Sequence, residues 1–227
     1  MKSLNIRSYQ LSCIGLTGEH FIRQSEKKVR KTVNQELVER FEKLLLETKR
    51  PGIENLLEFI RKSDFYTAPA STRFHGAYEG GLLEHSINVL ECLAEKKASY
   101  NAIWHKILVN VQSESIVISS LLHDLCKTYF YTTEMRNKKD ESGAWVSVPF
   151  YTVNDLIPYG HGEKSVMMIE EYIKLLPAER YAIRWHMGSY EPKELWNTLG
   201  TAMEKYPLVL ALHEADMEAT YLLEKEK

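Results

Sequence analysis

The chain has 227 residues and a mass of 26.4 kDa, which fits one large domain or one domain with a small appendage. Its 29 Lys and Arg residues against 31 Asp and Glu residues give a net charge of −2, so its overall field does not attract nucleic acid or an anionic membrane. With 11 Gly and 7 Pro, the chain is poorer in turn residues than an average protein. This shortage favours long helices over a β-sandwich or a β-barrel.

The three cysteines, Cys13, Cys92 and Cys126, form no Cys-x-x-Cys pair, and their odd number argues against a disulfide framework. We interpret them as reduced thiols, and no sequence pattern pairs any of them with an activating histidine. The N-terminus lacks the pattern of a signal peptide, and no apolar run approaches the ~18 residues that span a bilayer. These features predict a soluble, cytoplasmic protein without a membrane partner.

Residues 1–33 are polar and weakly patterned, and they end in a basic run. We predict a solvated or partly ordered arm there, with a contact to nucleic acid as the alternative. From residue 34 onward, apolar side chains recur at helical spacing. Amphipathic patterns and helix breakers predict helices that begin at Gln35, after Pro51-Gly52, at Gly80-Gly81 (ending at about Ala94), at about Glu114 (ending at Leu125), at about Gly162 (ending at Leu176), at Pro177 and near Pro207.

Between the fourth and fifth of these helices, the composition changes to β-branched and aromatic residues. Residues 128–133 and 144–153 flank a polar turn at Asn137–Gly143, which predicts a β-hairpin. Because the hairpin follows the fourth helix directly, we predict that its aromatic side chains wall one side of a pocket; the alternative is that they only pack the hairpin onto the helices. The predicted fold is an all-α domain over residues 34–227 with this hairpin inserted at about 128–153.

Three side chains of metal-ligand type lie on the apolar faces of predicted helices. His85 and Asp216 share faces with aliphatic residues, and His123 follows the most apolar stretch of the sequence. A single buried histidine is usually a satisfied core residue, and an unpaired buried carboxylate costs several kcal/mol. Three such groups from three helices indicate a shared metal, because imidazole and carboxylate ligands suit Zn, Mn and Fe.

The adjacent pair His123-Asp124 narrows the interpretation. Neighbouring helical residues point about 100° apart, so they can share one ion only at the edge of a helix. The order of His85, then His123-Asp124, then a distant Asp216 resembles the HD-domain superfamily of metal-dependent phosphohydrolases.

Two segments around these residues strengthen the resemblance, which covers about residues 50–225. Residues 80–85 resemble the Gly-Gly-Leu-x-x-His element of the superfamily, and residues 121–127 resemble its Leu-x-His-Asp-x-x-Lys element. The resemblance implies a bundle of helices around a metal centre. It also implies a first ion held by four ligands: His85, His123, Asp124 and Asp216.

One branch of the superfamily supplies a second metal position through a Gly-His motif and a His-His-Gly motif. His161 and His186 match these motifs, but Met187 stands where the second histidine is expected, and a thioether is a poor ligand for such cations. The implied cofactor is one or two divalent transition-metal ions (Mn, Fe, Co, Zn or Ni), with Mg also possible. The residues alone leave open a helix-capping role for His161 and a core position for His186.

Asp124 and Lys127 are the residues to which we assign catalysis. Lys127 lies four residues after His123, on the same face if the helix continues, where it could hold a substrate phosphate or pair with a carboxylate of the site. Arg73 and His75 precede the Gly-Gly element and are predicted to bind substrate at the mouth of the pocket, because the Arg fork suits phosphate.

The predicted function is hydrolysis of a phosphomonoester or phosphodiester, with a small nucleotide as the favoured substrate. The metal would lower the pKa of a water molecule and polarise the phosphoryl group. Two alternatives remain, a 3′-5′ exonuclease on short single strands and a non-catalytic signalling module that keeps the metal for structure. Strand-tracking grooves are basic and aromatic, so nucleic acid is the less favoured partner of this slightly acidic chain. The sequence leaves the oligomeric state open.

Overall fold

The computed structural model describes residues 34–99 and 102–224, so the predicted arm at residues 1–33 lies outside the described part of the chain. Within the described residues the protein is helical with one two-stranded sheet, which confirms the predicted fold class. The helices are α1 (Gln35–Glu47), α2 (Ile53–Lys62), α3 (Gly81–Ala98), α4 (Ala102–Leu108), α5 (Ser113–Leu122), α6 (His161–Glu170), α7 (Pro177–Trp185), α8 (Trp196–Lys205) and α9 (Leu208–Glu218). The strands are β1 (Tyr131–Lys139) and β2 (Trp145–Val153).

Helices α3, α5, α7 and α9 pack against one another and form the centre of the fold. Every residue of α5 from Ser115 to Leu122 is buried, so this helix runs through the middle of the core. The amphipathic helices α1 and α2 each cover the core with one apolar face, to which Phe41 and Ile60 belong. Polar side chains that the central helices direct inward are therefore shielded from water and need partners. None of the helices in the described ranges is long and apolar enough to cross a bilayer.

Helix boundaries differ from the predicted ones where the apolar pattern and the helix end at different residues. α5 ends at Leu122, three residues earlier than predicted, and α6 ends at Glu170, six residues earlier. Ile173 and Leu175 stay buried in the non-helical link to α7, so they prolong the apolar pattern without being helical. The sequence patterns did not predict α4, which is short and largely exposed, or α8, which buries few side chains.

The predicted hairpin is present, and β1 pairs with β2 in antiparallel register from Tyr131–Val153 to Lys139–Trp145. β1 begins later than predicted because Tyr129 adopts a left-handed φ of 54°, which interrupts the extended chain. The backbone N–H of Tyr129 donates to Asp64 Oδ1 at 2.8 Å, and this contact holds the bend against the loop after α2.

Most of the hairpin projects into solvent. Strand β1 is exposed beyond Tyr131, and Trp145 at the far end is 70% exposed. The prediction that the aromatic residues of the hairpin wall a pocket is therefore wrong for Trp145. Only the base is anchored in the fold, where the Tyr131 hydroxyl donates to the backbone carbonyl of Ala70 at 3.0 Å.

At two places near the site, a glycine lets one backbone segment lie directly against another. Gly80 has a left-handed φ of 84° just before α3, and a side chain on Gly81 would lie 2.0 Å from the carbonyl oxygen of Gly76. In the same way, a side chain on Gly162 would meet the carbonyl of Arg184, where α6 crosses α7. The glycines of the Gly-Gly element and of the Gly-His segment therefore bring His85 and His161 inward.

A buried carboxylate links α7, α5 and the loop between α1 and α2. Glu179 in α7 has no exposed side-chain surface and accepts two hydrogen bonds from the Arg50 guanidinium, at 2.7 and 3.0 Å. It also accepts a hydrogen bond from the Ser115 hydroxyl of α5 at 2.7 Å. All the polar atoms of this carboxylate are thereby partnered, which a buried charge requires.

Candidate metal centre

The six residues predicted as metal ligands lie in one cluster around the carboxylate of Asp124. Their ligand atoms form groups whose members all lie within 4.8 Å of one another. Five elements contribute them: α3 carries His85, the end of α5 carries His123 and Asp124, α6 begins with His161, α7 is capped by His186, and α9 carries Asp216. The fold therefore brings together residues that are up to 131 positions apart in sequence.

His123 and Asp124 can face one point because the helix ends between them. His123 caps α5 with helical angles (φ −55°, ψ −34°), whereas Asp124 has φ −105° and ψ 20°. This bend places His123 Nε2 3.3 Å from Asp124 Oδ2, so the divergence of about 100° expected for helical neighbours does not arise. A 3₁₀ turn, Leu125–Lys127, follows, so the condition under which Lys127 would share a helix face with His123 is not met.

The two carboxylate oxygens of Asp124 face different sets of histidines. Oδ1 lies 2.7 Å from His161 Nε2 and 3.6 Å from His186 Nε2. Oδ2 lies 3.3 Å from His123 Nε2 and 3.7 Å from His85 Nε2. The carboxylate of Asp124 therefore lies between two groups of histidines.

Hydrogen bonds to the backbone define the tautomers of two histidines. His123 Nδ1 donates to the carbonyl of Ser120 at 2.8 Å, and His186 Nδ1 donates to the carbonyl of Ile183 at 2.6 Å. The opposite nitrogen, Nε2, is buried in both residues and has no hydrogen-bond partner. In neutral imidazoles these Nε2 atoms carry lone pairs, and both face the carboxylate of Asp124. Lone pairs buried against a carboxylate repel it unless a cation lies between them.

His85 is oriented by a residue that sequence reasoning missed. Its Nδ1 lies 3.1 Å from both carboxylate oxygens of Glu224, which also accepts a hydrogen bond from Asn88 at 2.9 Å. Its Nε2 lies 3.2 Å from Asp216 Oδ1. Glu224 reaches this place because a π-helical turn, Ala219–Leu223, follows α9, and the sequence carries no signal for such a turn. A carboxylate behind an imidazole is the usual outer partner of a metal-binding histidine.

Without a cation, the charges of the cluster are balanced by protons. Burial disfavours the protonated form of His85, but Glu224 and Asp216 outweigh burial and raise its pKa to about 10. Burial likewise opposes protonation of His161, and Cys126 together with Asp124 raises its pKa to about 9.

The pKa values of the carboxyl groups in the cluster are lowered, whereas those of the two histidines are raised. Burial favours the neutral form of Asp124, yet Lys127 and the neighbouring histidines lower its pKa well below the ordinary value. The pKa values of Asp216 and Glu224 are also lowered, against burial, by His85. Ionised carboxylates beside imidazoles that hold extra protons are a site in which a divalent cation can replace those protons.

The donor set fits a transition metal. Imidazole nitrogens and carboxylate oxygens suit Zn, Mn, Fe, Co and Ni, whereas Mg prefers oxygen ligands alone. Two imidazole Nε2 atoms are buried without hydrogen-bond partners, and outer hydrogen bonds hold the imidazole rings. The residues present therefore match the chemistry of the implied cofactor.

Lys127 contacts the cluster from the 3₁₀ turn. Its Nζ lies 2.6 Å from Asp124 Oδ2, and the residue is buried. Burial disfavours its charged form, but Asp124 outweighs burial and raises the lysine pKa above its ordinary value. Of the two roles open for Lys127 on sequence grounds, pairing with a site carboxylate is the one that this contact displays.

The two residues predicted at the pocket mouth differ in position. His75 packs its ring against that of His85, with 4.8 Å between ring centroids, and its Nε2 is buried without a partner. Burial, with the charges of His85 and Lys127, lowers the pKa of His75 to about 4, so its ring is neutral at pH 7. Arg73 is exposed, and its guanidinium lies over the ring of Phe74 at 4.9 Å.

Cys126 does have a histidine partner, contrary to the interpretation of the sequence. Its Sγ lies 3.2 Å from Nδ1 of His161, which is 35 residues later in the chain. The pair is formed because the turn after Asp124 faces the first residue of α6, a juxtaposition of distant segments that a local pattern cannot reveal.

Comparison with known proteins agrees with this arrangement. The family model of the HD domain matches residues 82–220, more than half of the chain. One curated relative is a dihydroneopterin 2′,3′-cyclic phosphate phosphodiesterase from Methanocaldococcus jannaschii, 38% identical over 64 residues. That segment covers 28% of this chain and 24% of the relative, so the match spans about a quarter of the relative's length. No solved structure is significantly similar to the chain.

The protein belongs to the HD domain family. The matched residues include the five elements that carry the cluster, from α3 to α9. They exclude Glu224, which lies beyond the end of the match and still contacts His85.

Proposed function

We propose that this protein is a metal-dependent phosphohydrolase whose active site is the cluster around Asp124. The observation that carries the proposal is the pair of buried, unpartnered Nε2 atoms of His123 and His186, which face carboxylate oxygens of Asp124. A cation relieves this arrangement, and divalent cations held by imidazoles and carboxylates are a common apparatus for hydrolysing phosphoesters.

In the proposed site, His85, His123, Asp124 and Asp216 would hold one ion. Asp124, His161 and His186 would hold the second. Bound there, a metal supplies Lewis acidity that polarises the phosphoryl group and lowers the pKa of a water molecule.

Lys127 and His75 are the proposed contacts of the reacting phosphate. The Lys127 ammonium has three N–H donors, of which one is directed to Asp124, so the others can bind a phosphoryl oxygen. His75 Nε2 has no partner and lies beside the cluster, where a neutral imidazole can bind a substrate oxygen. Arg73, two residues earlier in the same loop, is the proposed outer contact and would bind phosphate through its planar fork.

The proposed substrate class is a small, nucleotide-like phosphoester, with cyclic phosphodiesters as the first candidates. Support comes from the similarity to a phosphodiesterase that is named for a cyclic phosphate, although the match covers only a quarter of that protein. The buried state of most of the cluster also favours a small substrate over a long strand, since only His161 among the histidine ligands has an appreciably exposed side chain, at 28%.

Activity assays with a substrate panel test this proposal. The panel contains 2′,3′-cyclic nucleotides, nucleoside monophosphates and single-stranded oligonucleotides of increasing length, each with Mn, Fe, Co, Ni, Zn or Mg. We expect hydrolysis of the small phosphoesters with transition metals and loss of that activity in Asp124→Asn. Asp140→Asn, in the exposed turn of the hairpin, is the matched control and should retain full activity.

Two outcomes would contradict the proposal in different ways. Degradation of long single strands with no turnover of small phosphoesters would identify an exonuclease. A protein that binds metal but hydrolyses nothing in the panel would fit a non-catalytic module.

A further inference from the structure

One edge of strand β1 carries a row of backbone groups that point away from the hairpin. In an antiparallel pair, hydrogen-bonded positions alternate with positions whose N–H and C=O groups point away from the partner strand. The Asn154 N–H donates to the Phe130 carbonyl and the Asp140 N–H donates to the Ala144 carbonyl, each at 2.9 Å, so the even-numbered positions of β1 bond to β2. The outward groups belong to the odd-numbered positions, which we call the free edge of β1: Tyr131, Thr133, Met135, Asn137 and Lys139.

The free edge of β1 is long and accessible. Every residue of the strand beyond Tyr131 is exposed, and Met135 at its centre is 63% exposed. Within the described part of the chain, its outward backbone groups form no hydrogen bond. An uncovered edge of this kind is a template on which another strand can pair. The part of a two-stranded hairpin that projects into water is only marginally stable by itself, so a further strand would stabilise it.

The opposite edge of the hairpin is less suited to pairing. Pro149 in β2 lies opposite Met135, at a position whose backbone also points outward. Proline has no N–H, so it interrupts the row of donors in the middle of that edge. Strand β1 contains no proline. A further strand is therefore expected on β1 and not on β2.

The charges on β1 fit a second copy of the same strand. When two β1 strands pair antiparallel about a twofold axis at Met135, Glu134 of each copy lies opposite Arg136 of the other, because both positions are one residue from the axis. The outward backbone groups of Met135 then bond to those of the same residue in the second copy. A twofold axis at Glu134 or at Arg136 would instead place like charges face to face, which is destabilising.

We propose that the hairpin is a dimerisation element, in which β1 pairs with β1 of a second copy of this chain about a twofold axis at Met135. The product is a four-stranded antiparallel sheet with an isologous interface. Each Glu134–Arg136 pair between copies lies beside Phe150, over whose ring the Arg136 guanidinium already packs at 4.1 Å. The contact is independent of the proposed function. It is small and therefore transient, so the metal content and melting temperature of the dilute monomer do not depend on it.

Sedimentation velocity of the full chain from about 1 µM to about 500 µM tests the proposal, since small interfaces give weak dimers. We expect a monomer–dimer equilibrium in the wild type. Glu134→Arg and Arg136→Glu should each weaken the dimer at least about tenfold, because each places two pairs of like charges face to face. An equimolar mixture of these two variants, and the double variant that carries both changes, should each associate as the wild type does.

Proline variants identify the edge that pairs. Met135→Pro removes the central donor of the free edge and leaves the hydrogen bonds between β1 and β2 in place, so it should abolish the dimer. Ser147→Pro is the matched control, because the backbone of Ser147 points outward on the edge of β2. It should dimerise as the wild type does. Circular dichroism checks that both variants keep the fold.

Disulfide formation identifies the register. In the proposed dimer the two Met135 residues form a hydrogen-bonded pair with about 5.5 Å between Cα atoms, which a disulfide can bridge. Met135→Cys should therefore cross-link under mild oxidation. Lys139→Cys is the control and should not cross-link, because the two copies of this residue would lie eight positions, or about 27 Å, apart.

Each outcome decides the proposal. A wild-type protein that stays monomeric at the highest concentration would overturn it. A dimer that survives Met135→Pro, or that the double charge reversal fails to restore, would show that the copies associate through another surface and would also overturn it. Dimerisation that follows the expected order of the variants would support it, whether or not the protein hydrolyses a phosphoester.

Discussion

The backbone at Asp124 determines how two adjacent residues can serve one centre. A helix would direct His123 and Asp124 about 100° apart, but the chain leaves α5 at Asp124 and both side chains turn inward. The same bend starts the turn that carries Cys126 and Lys127 to opposite sides of the cluster, Cys126 beside Oδ1 and its His161, and Lys127 beside Oδ2. Four residues of the cluster, all within positions 123–127, therefore depend on one change of backbone angle.

Glu224 offers a test of how the outer hydrogen bonds of the cluster support the metal. Glu224→Gln keeps the shape of the side chain but removes the negative charge that faces His85 Nδ1. We expect metal affinity to fall about 10- to 100-fold, because an outer carboxylate orients the imidazole and raises its basicity. Isothermal titration of metal into chelator-treated protein measures the change.

The matched control for that substitution is Glu214→Gln in α9. The carboxylate of Glu214 lies 3.1 Å from Lys96 Nζ and does not contact the cluster. Its metal affinity should equal that of the wild type. Equal affinities in all three proteins would show that Glu224 does not act on the metal through His85.

At the scale of the elements, the Glu179 carboxylate ties α7, and with it His186, to the loop between α1 and α2 through Arg50, and to α5 through Ser115. Glu179→Gln leaves the partly buried Arg50 without its charged partner. We expect the free energy of unfolding to fall by about 3 kcal/mol, as is typical when one partner of a buried ion pair is removed. Denaturant unfolding of the metal-free proteins measures this loss.

Glu58→Gln is the control, because its pair with Lys62 is exposed and of a kind that contributes at most about 1 kcal/mol. The metal content of Glu179→Gln, measured under native conditions, should stay at the wild-type level. A loss of stability no larger than that of the control would contradict the structural role of the buried pair.

We expect that the hairpin can be shortened without affecting the centre. Most of β1 is exposed, and the tip is held by its own turn around Asp140. Replacing residues 134–150 by a two-residue turn should leave the metal content and the melting temperature of the folded protein unchanged, because the anchor at Tyr131 remains. Elemental analysis and thermal unfolding check this expectation; loss of metal would mean that the exposed part of the hairpin supports the centre.

At the scale of the whole molecule, the protonation of the cluster predicts how stability depends on pH. His85 and His161 have pKa values raised to about 10 and about 9, above the ordinary value of about 6.5. Their contribution to the stability of the metal-free protein is complete below about pH 6.5 and is lost as the pH rises through 9 to 10. The lowered pKa values of Asp124, Asp216 and Glu224 add stability above about pH 4.5 that is lost in acid.

The melting temperature of the metal-free protein should therefore fall between pH 6.5 and 9.5, a range that ends below the ordinary pKa of tyrosine, about 10. Metal affinity should change in the opposite direction and rise up to about tenfold per pH unit for each proton that is displaced. Thermal unfolding and metal titration at matched pH values measure both trends. A metal affinity that is constant over this range would contradict a site in which protons and cations compete.

Much of this architecture is predictable from the sequence, because it depends on local periodicity. The apolar spacing of the central helices, the Gly-Gly element and the β-branched strands each encode their own element, and the inward placement of His85 and His123 follows from the faces on which they lie. Buried residues of this kind need partners, so a shared centre could be inferred before any geometry was known.

The rest depends on contacts between segments that are distant in sequence. Cys126 contacts His161, which is 35 positions away in sequence. Glu224 contacts His85 over 139 positions, and Arg50 pairs with Glu179 over 129 positions. The end of α5 at Leu122 was also missed, because the apolar pattern continues through Leu125, which is buried in the following turn. Periodicity reports burial, and it does not report where the backbone leaves the helix.

The central claim is that this cluster holds a transition metal, and elemental analysis of purified, never-chelated protein tests it most directly. We predict one or two transition-metal ions per chain in the wild type and none in Asp124→Asn, because this substitution removes the one carboxylate that faces all four histidines of the cluster. A wild-type protein that contains no transition metal, and that takes up none on titration with Zn, Mn, Fe, Co or Ni, would contradict the account.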